Sequence, residues 1–294
     1  MREVRLSDIL VTGATGTFGG EVAGQLISRN IPCRVLIRDA GKISNFCDKV
    51  QVFVGDFSDL AALEAAMVGV HAVFLASFDG SDQAELQNNV LKVARRQGVR
   101  HVVRISTVGV NEFKHLPIMS LHFECEQQLE RSGLAYTHLR PGWVMQNFLP
   151  SSWSGPDSDG KIRLPAGDGR VSFVDARDIA AVGVKALTEP GHDGMAYELT
   201  GGEALSHSDV ANQLSRASGQ SIVYENITPD LYGEELAARG WPEGSVKSIL
   251  SLFAEIRAGN GSAVSNTVES VLGRKPIRFE QFSNDYAREF TSDR

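Results

Sequence analysis

Three glycines, Gly13, Gly16 and Gly19, follow a short apolar segment in the stretch VTGATGTFGG. Glycines at this spacing permit a tight turn off a strand, a close approach of backbone to a pyrophosphate, and close packing of the next helix. The first turn of that helix offers unpaired N–H groups and partial positive charge to phosphate oxygens. Because a strand pattern precedes the glycines and an amphipathic helix pattern follows them, the motif predicts a dinucleotide-binding turn.

The end of the second predicted strand carries residues that distinguish the two nicotinamide dinucleotides. Ile37 is followed by Arg38 and Asp39, and Lys42 comes three residues later. Arg38 and Lys42 are suited to clamp a 2′-phosphate, since a guanidinium binds phosphate through two hydrogen bonds. Asp39 leaves the alternative open, because a carboxylate at this place accepts from a ribose 2′-hydroxyl. The pattern favours NADP(H) over NAD(H).

The segment PIMSLHFECE, residues 117–126, opens a predicted helix after the fifth strand. Many nicotinamide-dependent reductases have a catalytic Tyr here and a Lys four residues later, but this chain has Ile118 and His122. Ser106, which in such enzymes orients a carbonyl, is present at the end of the fifth strand. Histidine is the side chain type that can exchange a proton near neutral pH, so His122 is a candidate to replace the Lys at the ribose or to protonate a substrate.

A parallel sheet is needed to bring these residues together. Segments that are apolar on both faces alternate with amphipathic helical patterns, and six of them are predicted strands: DILVTG, CRVLI, VQVFVGD, AVFLAS, HVVRIS and AYTHLRP. The alternation predicts the α/β class, with a Rossmann-type doubly wound parallel sheet. We expect an NAD(P)-binding domain over residues 1–150, with residues 171–189 packing back onto it.

Residues 151–294 are expected to form mainly a smaller C-terminal α+β substrate lobe. They begin with a loop rich in Ser, Gly and Asp and include predicted helices near 230–239 and 243–258, followed by a polar tail. The segment is too short and too interrupted for a core of its own to be expected, so it is predicted to pack on the first domain and form a substrate cleft.

The bulk composition excludes several classes of function. The chain has 294 residues, 42% of them hydrophobic, and a net charge of -7, which argues against a nucleic-acid ligand. No apolar stretch reaches the length of a membrane span, and Cys33, Cys47 and Cys125 suggest reduced thiols, so a cytoplasmic protein is expected. His115, His122 and Cys125 lack a fourth ligand, and no metal is predicted. The expected partner is a small-molecule substrate, and the expected state a monomer or homodimer.

Several longer motifs carry a family resemblance. TGATGTFGG, Arg38, the Gly-Asp pair at 55–56, STVG at 106–109, SGLAYTHLRPGWVMQNF at 132–148 and FVDARDIA at 173–180 resemble the NmrA-like family of atypical short-chain dehydrogenases/reductases. The chain is similar to the branch that holds NAD(P)H quinone oxidoreductases and triphenylmethane reductases. The resemblance implies a Rossmann core with NADP(H), in a family with both working reductases and cofactor-sensing regulators.

The resemblance also implies roles for individual residues. Those expected to contact the cofactor are Gly13, Thr15, Gly16, Thr17 and Phe18 at the pyrophosphate, Arg38 and Lys42 at the 2′-phosphate, Asp56 and Phe57 at the adenine, Ala76 and Ser77 at the ribose, and Pro141, Gly142, Trp143 and Val144 along the nicotinamide. Ser106 and His122 are the catalytic candidates and are also expected beside the cofactor. The expected substrate side comprises Trp143, Met145, Gln146, Asn147, Phe148 and Trp153. Asp175 and Asp178 are expected to tie a later helix to the sheet.

The missing Tyr–Lys pair narrows the substrate class. A placed acid contributes about 10²–10⁴ to the rate of ketone reduction. A quinone, enone or dye accepts hydride at an electron-poor centre and spreads the charge by conjugation, so it needs mainly proximity, orientation and a dry apolar surface. We therefore predict an NADPH-dependent oxidoreductase that reduces such a conjugated electrophile by direct hydride transfer. Two alternatives stay open: a non-catalytic NADP(H)-binding redox sensor, and a ketone or imine reductase with His122 as the acid.

Overall fold

The computed structural model describes residues 9–45 and 50–291, with the side chains of residues 43–45 left out. Cys47 therefore lies outside the described residues. The chain divides into two compact units. Unit 1 comprises Met1–Pro141 and Ile179–Glu198, and unit 2 comprises Gly142–Asp178 and Leu199–Arg294.

The strands form one large sheet and two small ones. In chain order they are β1 (Ile9–Thr12), β2 (Cys33–Ile37), β3 (Val50–Val54), β4 (Ala72–Leu75), β5 (His101–Ile105), β6 (Ala135–Pro141), β7 (Lys161–Leu164), β8 (Arg170–Val171), β9 (Met195–Leu199), β10 (Leu205–Ser206) and β11 (Val223–Asn226). The large sheet has the order β3-β2-β1-β4-β5-β6-β9, and the small ones pair β10 with β8 and β11 with β7.

The large sheet is the predicted Rossmann-type sheet. The five pairs that link β3, β2, β1, β4, β5 and β6 in turn are all parallel. The chain runs outward from β1 through β2 to β3 and then returns to β4 on the other side of β1. Such a reversal of strand order opens a ligand-binding crevice at the carboxyl ends of the strands. The structure confirms the fold class predicted from the strand and helix patterns.

The helices follow the apolar periodicity of the sequence. They are α1 (Thr17–Ser28), α2 (Leu60–Met67), α3 (Gln83–Arg96), α4 (Pro117–Arg131), α5 (Ala176–Thr188), α6 (His207–Ser218), α7 (Pro229–Ala238), α8 (Glu243–Arg257), α9 (Thr267–Leu272) and α10 (Phe279–Asp285). In α3, Val90 and Ala94 lie on the buried face, four residues apart. In α4 the helix begins at Pro117, where the fixed φ of proline suits the first helical position.

Unit 2 has a hydrophobic core of its own, contrary to the expectation from the sequence. Phe148, Phe173, Phe253, Phe279 and other apolar side chains of this unit pack together with little or no exposure. The polar tail was also a wrong prediction, because it contains α9 and α10. In α10 the phenylalanines are three residues apart, so they share one face of the helix and enter the core while Glu280 and Gln281 between them are exposed.

His207, the first residue of α6, lies inside this core. Its side chain is 1% exposed, and the rings of Phe148, Phe173, Tyr224 and Phe253 lie 5.4–6.3 Å from its ring centre. Burial away from water penalises the charged imidazolium and lowers the pKa of His207 to about 4. The neutral ring therefore acts as an apolar member of the core at neutral pH.

His207 should make the fold sensitive to acid. An unfolded histidine has a pKa of about 6.5, whereas that of His207 in the folded protein is about 4. Between these two pH values the unfolded chain binds a proton at this residue and the folded chain does not. The free energy of unfolding is therefore highest above pH 6.5 as far as His207 is concerned. It falls as the pH drops, by about 2 kcal/mol between pH 7 and pH 5. Urea unfolding of the wild type and His207→Phe at both pH values measures this difference. Equal losses of stability in the two proteins would contradict it.

Candidate functional site

The glycine turn follows β1 directly, and two of its glycines are required by the fold. Gly13 has a φ of +63°, and a Cβ there would lie 3.0 Å from the carbonyl oxygen of Ala76. A Cβ on Gly19 would lie 2.4 Å from the carbonyl oxygen of Gly13. These two positions exclude larger residues through backbone conformation and through close helix–strand packing.

Gly16 is different, because no contact within the described residues requires a glycine there. Its φ of -104° and ψ of 178° suit any residue, and an added Cβ would meet no described atom closer than the Gly13 oxygen at 3.4 Å. Gly16 is the N-cap of α1, whose first turn has no acidic residue. The open space and the unpaired N–H groups of this turn suit a phosphate group, so the residues present fit a dinucleotide.

The carboxyl ends of β1 and β4 are held together beside this turn. The Thr12 hydroxyl oxygen accepts the Ala76 N–H at 3.0 Å, and it lies within 3.1 Å of the carbonyl oxygens of Phe74 and Ala76. The two predicted cofactor residues Ala76 and Ser77 are thereby fixed next to the glycine turn.

Arg38 and Lys42 lie exposed after β2, and neither forms a salt bridge with another residue of the described ranges. Asp39 closes its own turn by accepting the Gly41 N–H on Oδ1 at 2.9 Å. The Asp39 carboxylate is therefore engaged by the local backbone, which weakens the argument that it binds a ribose 2′-hydroxyl. The two cations are available to a phosphate.

Asp56 and Phe57 lie at the end of β3, where the adenine was expected. Asp56 Oδ1 accepts from the backbone N–H and the hydroxyl of Ser58, at 2.7 and 2.5 Å. These bonds, with a smaller contribution from the nearby Arg38, hold the pKa of Asp56 below its usual value. Asp59 is the N-cap of α2 and accepts the Ala62 N–H. Asp56 therefore shapes the loop, and it brings a negative charge close to Arg38.

His122 occupies the position of the missing Lys and is bound on both ring nitrogens. It is 5% exposed, with Nδ1 at 3.1 Å from Arg104 Nη2 and Nε2 at 3.2 Å from Asp79 Oδ1. A guanidinium can only donate, so Nδ1 accepts and the ring proton of the neutral tautomer lies on Nε2. Ile118, in the position of the Tyr, is a half-buried apolar residue.

Arg104 is the centre of a larger polar network that the sequence reasoning missed. It is fully buried in β5, and it donates from Nε to Gln87 Oε1 at 2.7 Å. Burial lowers the pKa of its guanidinium, although neighbouring groups such as Cys125 and Glu126 oppose that effect. The available signal was one arginine in the otherwise apolar strand HVVRIS, since such a residue needs buried partners.

The network closes on itself through α3. Gln87 Nε2 donates to Ser77 Oγ at 2.8 Å, and Gln83 Nε2 lies 3.3 Å from Ser77 Oγ and 3.0 Å from Asp79 Oδ1. Together with the His122 contacts these bonds form a closed ring of side chains, which we call the Arg104 ring: Arg104, Gln87, Ser77, Gln83, Asp79 and His122. The ring lies at the carboxyl ends of β4 and β5.

Ser106 and Glu126 lie on the neighbouring side of α4. The Ser106 hydroxyl is buried and has no hydrogen bond of normal geometry within the described residues, although it is close enough to help lower the pKa of Glu126. Arg140 donates from Nε and Nη2 to both Glu126 oxygens, at 2.9 and 2.7 Å. Burial alone would raise the pKa of Glu126, but this bidentate pair and the other neighbours lower it.

One group of side chains has the composition of a metal site. Ligand atoms of Glu126, Glu130 and His138 lie within 4.8 Å of one another. The guanidinium of Arg140 already binds both oxygens of Glu126, so a cation there would lie beside a fixed positive charge. The triplet His115, His122 and Cys125 does not form such a group within the described residues.

The residues expected along the nicotinamide span the end of β6 and the start of unit 2. Pro141 ends β6, and Gly142, Trp143 and Val144 follow in unit 2. Within that unit, the Val174 N–H donates to the Trp143 carbonyl at 2.9 Å and the Met145 N–H donates to the Val174 carbonyl at 2.9 Å. The backbone of this segment is therefore fixed like a short strand.

Five of the six predicted substrate residues fall into two groups, and the sixth, Asn147, is half-buried. Met145 and Phe148 are buried in the core of unit 2, and Gln146 is bonded to Asp175 Oδ1 and to the Ala176 N–H, both at 2.9 Å. Trp143 and Trp153 are only partly buried, with ring centres 5.9 Å apart.

Trp241, which the sequence reasoning missed, extends the pair of tryptophans. Its ring centre lies 6.1 Å from that of Trp153, and it too is partly buried. Phe253 backs Trp143 at 5.2 Å. The three neighbouring tryptophans give unit 2 a partly exposed aromatic cluster, and aromatic rings pack well against flat molecules.

Asp175 and Asp178 connect parts of unit 2, and Asp178 corrects an expectation. Asp175 binds Arg177 at 2.7 Å. Asp178 accepts the Ile277 N–H on Oδ2 at 2.7 Å and pairs with Arg274 at 2.7 Å. It therefore fastens the start of α5 to the C-terminal segment, whereas a tie to the sheet was predicted.

The sequence matches the NmrA-like family over residues 6–282. The chain belongs to the NmrA-like family. Over 283 residues it is 36% identical to NAD(P)H azoreductase of Xenophilus azovorans, across 96% of this chain and 99% of the relative. It is also 36% identical over 287 residues to (4-alkanoyl-5-oxo-2,5-dihydrofuran-3-yl)methyl phosphate reductase of Streptomyces griseus subsp. griseus, across 97% of this chain and 100% of the relative.

A solved structure agrees with this assignment to the NmrA-like family. The NADPH complex of the NADPH-dependent quinone oxidoreductase QOR2 of Escherichia coli matches with a TM-score of 0.82 and 27% identity, across 94% of this chain and 99% of that chain. In the described part of this NmrA-like chain, no helix combines the length and apolarity needed to cross a membrane.

Proposed function

We propose that this chain is an NADPH-dependent oxidoreductase that reduces conjugated electrophiles such as quinones, azo compounds and activated enones. The observation that carries the proposal is Gly16, a glycine that the fold does not need and that leaves room for a phosphate at the start of α1. The relatives support the reaction class, because their names describe an azoreductase, a quinone oxidoreductase and a reductase of an unsaturated lactone that carries an acyl group.

The cofactor residues are assigned by their place on unit 1. The glycine turn would hold the pyrophosphate, Arg38 and Lys42 the 2′-phosphate, and the loop of Asp56 and Phe57 the adenine. When bound, the reduced nicotinamide supplies hydride. The exposed pair of cations after β2, with Asp39 engaged by Gly41, supports NADPH over NADH.

The substrate class is inferred from the lack of a proton donor at the Tyr and Lys positions. Ile118 has no proton to give, and both nitrogens of His122 have partners. A substrate that becomes a localised alkoxide would receive no help, whereas a conjugated electrophile stabilises its own charge. The partly exposed surface of Trp143, Trp153 and Trp241 supports a flat, apolar substrate.

Steady-state assays of NADPH consumption test the proposal. We expect turnover with a quinone, an azo compound and a doubly activated enone, and none with a simple dialkyl ketone of matched size. Tight NADPH binding with no turnover of any of these electrophiles would contradict the proposal and favour the redox-sensor alternative.

Arg38 and Lys42 should determine the preference between the two cofactors. Loss of a charge-assisted hydrogen bond costs about 1.5–3 kcal/mol, so Arg38→Ala should weaken NADPH binding about tenfold or more and leave NADH nearly unchanged. Lys42→Ala should act in the same direction. Calorimetric titration of both cofactors measures the effect, with Arg29→Ala, an exposed cation after α1, as the control. Equal weakening of NADPH and NADH would refute the assignment.

His122 should be dispensable as an acid. In His122→Gln the amide oxygen can accept from Arg104 and the amide N–H can donate to Asp79, so both bonds of the ring are kept. We expect kcat with a quinone to fall by less than about tenfold. A fall of about 10²–10⁴, the usual value of a general acid, would instead identify His122 as the proton donor.

A further inference from the structure

The direction of every hydrogen bond in the Arg104 ring is fixed by two of its members. Arg104 can only donate, and the ionised Asp79 carboxylate can only accept. Gln87 must therefore turn its oxygen to Arg104 and its N–H groups to Ser77. Gln83 likewise turns its N–H groups to Asp79 and Ser77, and His122 keeps its proton on the side of Asp79.

This polarity leaves two defined hydrogen-bonding positions unused. Both lone pairs of the Ser77 hydroxyl face amide N–H groups, so its proton must be donated elsewhere, and no acceptor for it occurs within residues 9–42 and 50–291. Asp79 uses Oδ1 for both Gln83 and His122, and no partner of Oδ2 is found in the same ranges. The Asp79 side chain is 43% exposed, so a ligand can reach this carboxylate.

The position of the two residues in the fold limits what that ligand is. Ser77 and Asp79 follow β4, the strand next to β1 on the side away from β2 and β3. The adenosine half of a dinucleotide belongs over β2 and β3, and the pyrophosphate belongs at the turn after β1. The other nucleoside half therefore belongs over β4 and β5.

The family resemblance implies that Ser77 lies at a ribose of the cofactor. We propose that this is the ribose that carries the nicotinamide and that Asp79 completes the recognition of its vicinal diol, with Ser77 donating to one hydroxyl and Asp79 accepting from the other. This inference rests on the proposed function, since it needs a bound nicotinamide dinucleotide. In reductases with a Tyr–Lys pair the Lys binds this ribose. Here His122 acts as a positioning residue by binding Asp79. The Asp79 carboxylate then contacts the ribose in place of the Lys ammonium group.

Two probes separate this inference from the proposed function. NADPH contains both nucleosides, whereas adenosine 2′,5′-bisphosphate contains only the adenosine half with its 2′-phosphate. Calorimetry should show that Asp79→Asn and Ser77→Ala each bind NADPH about tenfold or more weakly, because a hydrogen bond to the ribose is lost. Both variants should bind adenosine 2′,5′-bisphosphate within about twofold of the wild type.

Matched variants guard against a general loss of structure. Asp82→Asn removes the same charge from the same loop, where the Asp82 side chain makes no cap hydrogen bond to α3, and should leave both affinities unchanged. Ser77→Thr retains the hydroxyl and should restore most of the NADPH affinity lost in Ser77→Ala.

The possible outcomes have distinct meanings. Unchanged NADPH affinity in both Asp79→Asn and Ser77→Ala, with tight wild-type binding, would overturn this inference and leave the proposed function intact. Equal weakening of both probes would also overturn it, because the effect would then be structural. A wild type that binds neither probe would defeat the proposed function and this inference together.

Discussion

Gly19→Ala is expected to destabilise the protein by about 3 kcal/mol, the upper end of the usual cost of overpacking, whereas Gly16→Ala should change its stability by less than about 1 kcal/mol. The added Cβ at Gly19 would lie 2.4 Å from a backbone oxygen, which cannot move without displacing α1 from β1. At Gly16 the nearest atom to the added Cβ is 3.4 Å away. The two glycines thus serve different purposes within one motif.

Gly16→Ala should instead lower the affinity for NADPH. Gly16→Ala occupies the space that we assign to a phosphate, so NADPH should bind about 10–100-fold more weakly even though the variant is folded. Urea unfolding without ligand, followed by NADPH titration, measures both quantities. A Gly16→Ala protein with wild-type affinity would remove the main support for the proposed function, whatever the fate of Gly19→Ala.

Glu126→Ala should be the most destabilising substitution of a charged residue in α4. The carboxylate is 1% exposed and holds Arg140 through two hydrogen bonds. Its removal leaves the mostly buried guanidinium without its partner, and breaking such a buried pair costs about 3–5 kcal/mol. Glu124→Ala, an exposed carboxylate on the same helix, should cost less than about 0.5 kcal/mol.

Chemical denaturation of the two α4 variants provides the measurement. The double variant Glu126→Ala, Arg140→Ala supplies a further check, since removal of both partners should restore part of the lost stability. If Glu126→Ala and Glu124→Ala unfolded at the same urea concentration, the ion pair would not carry the stability assigned to it.

The Rossmann-type sheet and the glycine turn could be predicted because their signals are local. Each strand from β1 to β6 is an apolar run between helical patterns, and Gly13, Gly16 and Gly19 follow one another at three-residue spacing in the chain. The Arg104 ring could not be predicted in the same way. Its members come from β5, α3, α4 and the loop after β4, and their hydrogen bonds depend on how these elements pack.

The core of unit 2 escaped prediction for a related reason. β8 and β10 have two residues each, too few to show the alternation that marks a strand. α10 has seven residues, and its phenylalanines are surrounded by charged and polar side chains. The signal was present as a three-residue spacing, but it is weak in so short a helix. The same limit applies to Met145 and Phe148, which pattern alone cannot divide between a core and a binding surface.

The fixed hydrogen-bond directions of the Arg104 ring also affect proton transfer near the cofactor site that we propose. A proton wire needs members that can accept on one side while they release on the other, and then reverse. A guanidinium and two carboxamides cannot accept and release protons in this way at neutral pH, so the ring does not relay protons. We therefore expect each reduced product to take its proton directly from water. A solvent deuterium isotope effect on the rate of reduction should then reflect proton transfer from water alone.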